Sequence, residues 1–498
     1  LERNTSSGAL LDHHHDAGAG RIIYIEVAIK LMMLSLENKQ VLVLGLGDTG
    51  LSALRWLKSR GAVLSVADSR EVLPSVHKLQ AEMPEVSITL GAFKPETFAN
   101  AELIVISPGV ALAEPEVQAA IARGVKVVGD VELFAQYRNP SAKVIAITGS
   151  NGKTTVTTLV GEMCKAAGLK TVVAGNIGLP VLDALFQAEQ AGDTPDVYVL
   201  ELSSFQLETT NSLIADAATV LNISEDHMDR YESLHDYAAA KARIFEHANL
   251  QVLNRQDVWS DGMALPELDQ ITFGADVPKV TTDYGLLSKD GKLSLAFGQQ
   301  ALMPVSELQI AGLHNAANAL AALALCRAID IDFEPLLVVL RRFKGLPHRV
   351  EWVAEIANVA FYDDSKGTNV GATCAALAGL NAASDKKVVL IAGGDGKGQD
   401  FSPLRAPVKN KARAVVLIGR DSELIAAALA GIPVPQIQAS SMEDAVKKAF
   451  VAAQIGDAVL LSPACASFDM FRNYVHRAEV FIAAVKDLSM RQAQMEGV

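Results

Sequence analysis

The sequence predicts an α/β protein of three domains, each built on a parallel sheet. Three observations carry this expectation. Short runs of aliphatic and β-branched residues recur along the chain, each ending in a small-residue or polar turn and leading into a helical stretch, as in strand–loop–helix units around buried strands. Two of those turns, at 45–50 and 149–154, are glycine loops of the kind that hold phosphate. The 498 residues exceed one ordinary core, and typical domain sizes give roughly three domains.

Bulk properties narrow the function. Lys+Arg 44 against Asp+Glu 57 gives a formal net charge of -13, which argues against a dedicated nucleic-acid binder while leaving room for local cationic pockets. Cys164, Cys326, Cys374 and Cys465 show no C-x-x-C spacing, so neither a zinc site nor a disulfide framework is expected; they read as small buried hydrophobes in a reducing cytoplasm. No apolar run reaches the roughly 20 residues of a membrane helix, and the nearest, 21–34, is broken by Glu26 and Lys30. Residues 1–32 begin Ser/Gly/His-rich, with His13-His14-His15, and are expected to be non-native or disordered, with Met32 or Met33 a natural start.

In the first domain, 33–129, residues 40–44 form a strand that runs into Gly45-x-Gly47-x-x-Gly50 and then a helix. A second strand, 63–67, ends at Asp68, near the spacing of the acidic residue that holds a ribose in dinucleotide folds. The fingerprint alone suggests a dehydrogenase, but physically it specifies only a pyrophosphate on a helix N-terminus. Strands at 103–106 and 126–128 complete a Rossmann-like parallel sheet.

The central domain, 130–345, holds the stretch on which the chain is organised: 144–147 is a buried strand, and Thr148-Gly149-Ser150-Asn151-Gly152-Lys153-Thr154-Thr155 a phosphate loop entering a helix. The glycines turn backbone amides towards one point, Lys153 adds a cation, and the Thr154 hydroxyl suits a Mg²⁺ shell; Ile147 stands where the usual motif has its first glycine. A P-loop ATPase-like sheet follows. Its strand 197–200 delivers Glu201 where a metal-directed acid belongs, and 218–223 leads into the polar cluster Glu225-Asp226-His227-Met228-Asp229-Arg230. In the helical stretch 237–245, Lys241 reads by composition as a solvated surface lysine. The segment to 300 reads as broken and rich in turns; 314–318 then opens a buried Ala/Leu helix.

Gly345-Leu346-Pro347-His348-Arg349 reads as a hinge into the third domain, 346–498. There three strand-then-polar-loop units, at 361–369, 388–397 and 459–469, predict another Rossmann-like sheet with ligands at its carboxyl edge.

Taken in order, the phosphate loop, 201–206, 222–231, 314–318, 345–349, 364–369 and 462–469 resemble the Mur ligases, co-linearly over 33 to about 490. The resemblance implies a bacterial cytoplasmic ligase of peptidoglycan and cell-wall synthesis, acting as a monomer. Its reaction would be ATP-driven addition of D-glutamate to UDP-N-acetylmuramoyl-L-alanine through an acyl phosphate. Transferring phosphate to a carboxylate brings anions together, and Lys153, two Mg²⁺ ions and Arg349 would neutralise them. By resemblance, Thr154, Glu201, His227 and a carbamylated Lys241 hold the metals, which inverts the surface reading of Lys241. ATP would lie on Gly149, Ser150, Asn151, Gly152, Lys153, Thr154, Thr155 and Val156, with Asn318, Arg349 and Asp364 at base, phosphate and ribose. D-glutamate would meet Lys366, Thr368, Lys397, Ser467 and Tyr474, the last standing where the family often has phenylalanine. In the first domain the glycine loop would hold UDP, not NAD: Asp48 and Thr49 along the phosphates, Asp68, Ser69 and Arg70 round the uridine, Gly109 and Asn176 beyond. The third domain would close about the hinge when ATP binds.

Other readings leave residues without work. Another ligase of the superfamily, of folylpolyglutamate synthase type, does not need the UDP-binding module. A nicotinamide-dependent oxidoreductase resting on Gly45, Gly47 and Gly50 leaves Lys153, Glu201, His227 and the third domain idle. A non-catalytic nucleotide switch has no use for the lysine, threonine and serine pocket at the far end.

Overall fold

The computed structural model describes residues 35–289, 291–310, 312–380 and 386–496. The expectations about 1–32 and about Met32 or Met33 as a start fall outside them. The chain divides into two compact units, 1–144 with 174–198 and 205–214, and 145–173 with 199–204 and 215–498.

The first unit contains a five-strand parallel sheet of β1 (Gln40–Leu44), β2 (Val63–Asp68), β3 (Ser87–Leu90), β4 (Leu103–Ile106) and β5 (Lys126–Val128), in the order β3-β2-β1-β4-β5. Strand order reverses between β1 and β4, so the loop after β1 opens at a switch point, where parallel sheets place ligands. Leu42, Leu44, Ile104 and Ile106 are buried with Phe98 and Val117 on one face. On helix Asp48–Ser59, Leu51, Leu54, Trp56 and Leu57 turn inwards. Gly50 is required where that helix meets the loop, since a Cβ there would stand 1.9 Å from the Gly45 carbonyl oxygen. Helix Val181–Ala191 belongs to the same unit. The Arg60 guanidinium lies 4.9 Å from the Trp56 ring centroid and 5.4 Å from that of Tyr137, and it pairs with Glu189.

Two further sheets follow. One has nine strands, β6 (Lys143–Thr148), β7 (Thr171–Gly175), β8 (Val197–Glu201), β9 (Ala217–Val220), β10 (Leu250–Asn254), β11 (Asp269–Phe273), β12 (Tyr284–Lys289), β13 (Lys292–Phe297) and β14 (Gln300–Pro304), in the order β14-β13-β12-β11-β10-β9-β6-β8-β7. Pairing is parallel from β6 through β9 and β10 to β11, and antiparallel between β12, β13 and β14. The segment to 300, expected to be broken and turn-rich, is so: its short strands β10 to β13 are separated by turns and loops. Leu286 and Leu295 are paired across β12 and β13 and buried, on strands of six residues each.

The other sheet has β15 (Glu351–Ile356), β16 (Val359–Asp363), β17 (Val388–Gly393), β18 (Ala412–Ile418), β19 (Gln436–Gln438) and β20 (Ala458–Leu461), in the order β15-β16-β20-β17-β18-β19. It is parallel except for the edge pair β15–β16. Apolar clusters cover both its faces, around Leu390 and Leu460 on one side and Ile391 and Leu461 on the other, as a doubly wound sheet requires. Cys164, Cys326 and Cys465 are buried as expected, whereas Cys374 is partly exposed. Among the described residues no helix is long and apolar enough to cross a membrane.

Candidate active site

In the first unit, the loops after β1, β2 and β4 surround a cleft of about 540 Å³, which the 175–180 turn also lines. All seven residues expected at the UDP moiety, Asp48, Thr49, Asp68, Ser69, Arg70, Gly109 and Asn176, line it. Asp48 opens helix Asp48–Ser59 and is exposed. Asp68 is not the free ribose acceptor suggested by its spacing. It is 3% exposed and accepts from the amides of Leu46 (2.7 Å) and Arg70 (3.0 Å) and from Arg70 Nε (2.8 Å) and Nη2 (2.7 Å). Burial opposes its charge, but the guanidinium and the two amides prevail and hold the carboxyl at about 2. Those four bonds fill a carboxylate's acceptor positions, so Asp68 braces the glycine loop and steers the exposed Arg70. Gln206 and Ser107 also line the cleft. Ser107 donates to the Gly45 carbonyl at 3.1 Å, a contact no motif announces.

In the second unit, Gly149 and Gly152 both have positive φ, +149° and +84°. A Cβ on Gly152 would stand 2.6 Å from Asn318 Oδ1, so the loop and the start of helix Leu313–Arg327 meet at that glycine. Asn151, Gly152, Thr155, Asn318, Arg349 and Asp364 line one pocket with Ile310, His314, Leu346 and Lys366. Val156 is fully buried, and its amide donates to the Gly152 carbonyl at 3.0 Å. Lys153 Nζ donates to the Gly149 (2.6 Å) and Ser150 (2.9 Å) carbonyls, and burial lowers its pKa against the pull of Glu201 and Asp226.

Around that lysine the predicted metal-directed groups come together. Glu201 is 1% exposed at the end of β8. His227, in the left-handed region at φ 58°, is pushed down to about 4 by burial, with Asp226 pulling the other way; its imidazole is neutral and can act as a ligand at neutral pH. Lys241, read from composition as a surface lysine, is 1% exposed. Its amine lies 3.3 Å from Thr148 Oγ1 and 4.7 Å from the Tyr237 ring centroid, and burial first, then Lys153, pulls its pKa well below the ordinary value. Thr154, within the first turn of helix Lys153–Ala166, supplies the hydroxyl. Hydroxyl and carboxylate oxygens suit a hard divalent cation, which prefers oxygen, and the neutral imidazole adds one nitrogen donor beside them.

The second sheet of this unit adds the remaining groups. Asp364, 6% exposed after β16, accepts from Ser462 Oγ at 2.6 Å; burial raises its pKa to about 7 although Arg349 favours its charge. Lys366 lies over Tyr474, Nζ 4.1 Å from the ring centroid, and burial, Arg349 and Lys153 lower its pKa to about 8. Thr368 and Lys397 sit on the loops after β16 and β17, and Ser467 on the loop after β20. The stretch read as a hinge is pinned to β16: His348 Nδ1 lies 2.7 Å from Asp363 Oδ2, and the His348 carbonyl accepts from the Lys366 amide at 3.1 Å. With Glu351 these residues form the one His/carboxylate group compact enough for a metal among the described residues. Glu351 Oε2 is occupied by the His348 amide and Asp363 Oδ1 by the Ser365 amide, so the cluster is a structural lock.

Sequence reasoning missed the buried ties that set these loops. Arg477, 1% exposed, donates from Nε to Ser365 Oγ (3.0 Å), from Nη2 to the Ser365 carbonyl (2.8 Å) and from Nη1 to the Cys465 carbonyl (3.0 Å). Gln399 accepts from the Val370 amide and donates to the Gly396 and Ala464 carbonyls. Neither sits in a recognisable motif; the only signal was a basic residue on an otherwise core-facing helical stretch.

Comparison with known proteins decides the family. The chain matches the Mur ligase MurD-like N-terminal domain over 39–129, the Mur ligase middle domain over 147–326 and the Mur ligase glutamate ligase domain over 348–465. It is 66% identical over 460 residues to a protein of Methylobacillus flagellatus named UDP-N-acetylmuramoylalanine--D-glutamate ligase, spanning 92% of this chain and 99% of that one. The chain belongs to the Mur ligase family. A second Mur ligase of the same name, from Nitrosomonas eutropha, is 56% identical over 458 residues, 91% of this chain and 97% of that one. Among solved structures, the Mur ligase MurC of Thermotoga maritima, a UDP-N-acetylmuramate-alanine ligase, shares the fold with a TM-score of 0.58 at 18% identity, covering 90% of this chain and 99% of that one.

Proposed function

We propose that this enzyme is the Mur ligase that adds D-glutamate to UDP-N-acetylmuramoyl-L-alanine, using ATP, in the synthesis of peptidoglycan precursors. The observation that carries the reading is the convergence of Lys153, Glu201, His227 and Lys241 beside the phosphate loop in a chain 66% identical to a relative named for that reaction. A folylpolyglutamate-type ligase is disfavoured by the MurD-like match over 39–129.

In this reading residues 33–129 take the UDP moiety, 130–345 take ATP and 346–498 take D-glutamate. The loop amides and Lys153 hold the ATP phosphates, Asn318 meets the base, Asp364 the ribose, and Arg349 a phosphate. An oxygen of the L-alanyl carboxylate attacks the γ-phosphorus and the bond to ADP breaks, leaving an acyl phosphate. The amine of D-glutamate, having lost a proton, then adds to the acyl carbon; the tetrahedral intermediate collapses, phosphate leaves and the amide remains. Thr154, Glu201, His227 and Lys241 would hold Mg²⁺, which when bound neutralises phosphate oxygens. Lys241 would join that set as a carbamate: its neutral amine attacks CO₂, an N–C bond forms, a proton is lost, and a neutral side chain becomes an anion. Lys397, Thr368, Ser467 and Lys366 receive the D-glutamate carboxylates, with Tyr474 as an aromatic wall. The enzyme works in the bacterial cytoplasm as a monomer.

Offering D-glutamate, L-lysine and meso-diaminopimelate to the enzyme with the same UDP-substrate tests this assignment. Product forms with D-glutamate only; turnover with either of the others overturns the specificity.

A further inference from the structure

Asp226 has no task in the reaction as described, yet it is buried at 8% exposure against the group read as the D-glutamate cation. It follows β9, and its Oδ1 forms an ion pair with Lys397 Nζ, on the loop after β17. Its Oδ2 lies 3.4 Å from Asn369 Nδ2, and Asn369 in turn caps helix Val370–Gly379 by accepting from the Ala372 amide at 2.8 Å. The same Asn369 amide is 3.1 Å from Asn151 Oδ1 in the phosphate loop.

We propose that Asp226 is a positioning residue for D-glutamate, holding the Lys397 ammonium in the direction from which it receives the amino acid's carboxylate. The proposal rests on the reading of Lys397 as that carboxylate's partner. Lys397 stands at φ 53° on a glycine turn, and a lysine stem left to itself samples many rotamers, whose restriction costs entropy. Asp226 meets that cost before the substrate arrives. The ion pair is shielded from water, with side-chain exposures of 14% for Lys397 and 10% for Asp226, so salt screens it less than a surface pair. An ammonium carries three donors, and Asp226 takes one, so a second carboxylate can join without displacing the first. The other Asp226 oxygen ties the loop of Thr368 to the same point, which places two D-glutamate loops under one carboxylate.

The test is steady-state kinetics of the full chain with D-glutamate varied and the other substrates saturating, on Asp226→Asn, Lys397→Met and the double variant. Asp226→Asn is expected to raise the KM for D-glutamate at least about tenfold, with the KM for ATP within about twofold of the parent. The double variant is expected to be no worse than Lys397→Met alone, which a merely structural role would not produce. An unchanged or lower KM for D-glutamate, as for an aspartate that the substrate must displace, overturns the proposal. So does an equal rise in the KM for ATP, or full multiplication of the two single effects. If Lys397→Met leaves the KM for D-glutamate unchanged, the reading of Lys397 itself is what fails. Should the Asn variant not fold, the same comparison is made on Asp226→Glu, which shifts the carboxylate by one methylene.

Discussion

Lys241 Nζ and the Thr148 hydroxyl lie 3.3 Å apart, a lysine amine and a threonine both closed off from solvent at the foot of the phosphate loop. Thr148 donates its own proton to the Leu202 carbonyl at 2.6 Å, so its oxygen faces the amine as an acceptor. A charged ammonium is costly there, with burial and Lys153 both against it, and a neutral amine is the form that takes up CO₂. Lys241→Ala is expected to lower turnover by roughly a thousandfold, the scale of losing a key electrostatic group, and formate or acetate to restore part of it. Full activity of the bare variant would rule out the carbamate, as would the lack of a carbamate signal by NMR after supply of labelled bicarbonate.

Gly152→Ala tests the meeting of the phosphate loop with Asn318. The added methyl would enter the space of the Asn318 amide at a residue with φ +84°, costing about 1 kcal/mol or more in backbone terms alone. Calorimetric titration should show ATP binding weakened at least about tenfold. Unchanged affinity would mean that this glycine is not under the nucleotide.

Asp130 gives a pH prediction outside the reacting groups. It is 2% exposed, and burial raises its pKa from 3.8 to about 6 against the Val131 amide and Gln206. The folded state therefore keeps a proton that the unfolded state gives up near its ordinary pKa, so stability from this group falls as pH rises from about 4 to about 6 and the loss is complete above that. A pKa rise of that size corresponds to on the order of 3 kcal/mol. Asp130→Asn should lack this term, and its unfolding free energy relative to the parent should rise by that order between pH 4 and pH 7. A difference that does not vary with pH would refute the assignment.

Arg477→Met removes three hydrogen bonds and strands the Ser365 and Cys465 carbonyls. Loss of about 3 kcal/mol of stability is expected, read from denaturant unfolding. A loss below about 0.5 kcal/mol, the range of ordinary surface substitutions, would show that the two loops hold without it.

The sequence made legible whatever depends on local pattern. Strand β6 and its loop, the Gly45 to Gly50 turn, Glu201 at a strand end and strands β16, β17 and β20 of the third sheet all follow from short-range composition. The expected seven residues of the first-unit cleft were recognised by resemblance, and they do come together. What escaped was set by distant partners. Nothing around Lys241 distinguishes it from a solvated lysine until its helix, Leu234–Ala242, is packed so that the amine meets Thr148 of β6. Arg477 and Gln399 owe their roles to loops roughly a hundred residues or fewer away, and the saturation of Asp68 by Leu46 and Arg70 is a matter of side-chain geometry. Strands β12 to β15 were not read from the sequence: each is only five or six residues long, and the antiparallel pairings that order them are made between segments rather than within one.

The central claim is that ATP cleavage here serves the joining of two particular substrates. A coupled assay of ADP release with UDP-N-acetylmuramoyl-L-alanine and D-glutamate supplied separately and together measures this most directly. Sustained release only when both are present, matched one for one by amide product, is the predicted result. Sustained release with neither present, or with ATP consumed and no amide formed, would contradict it.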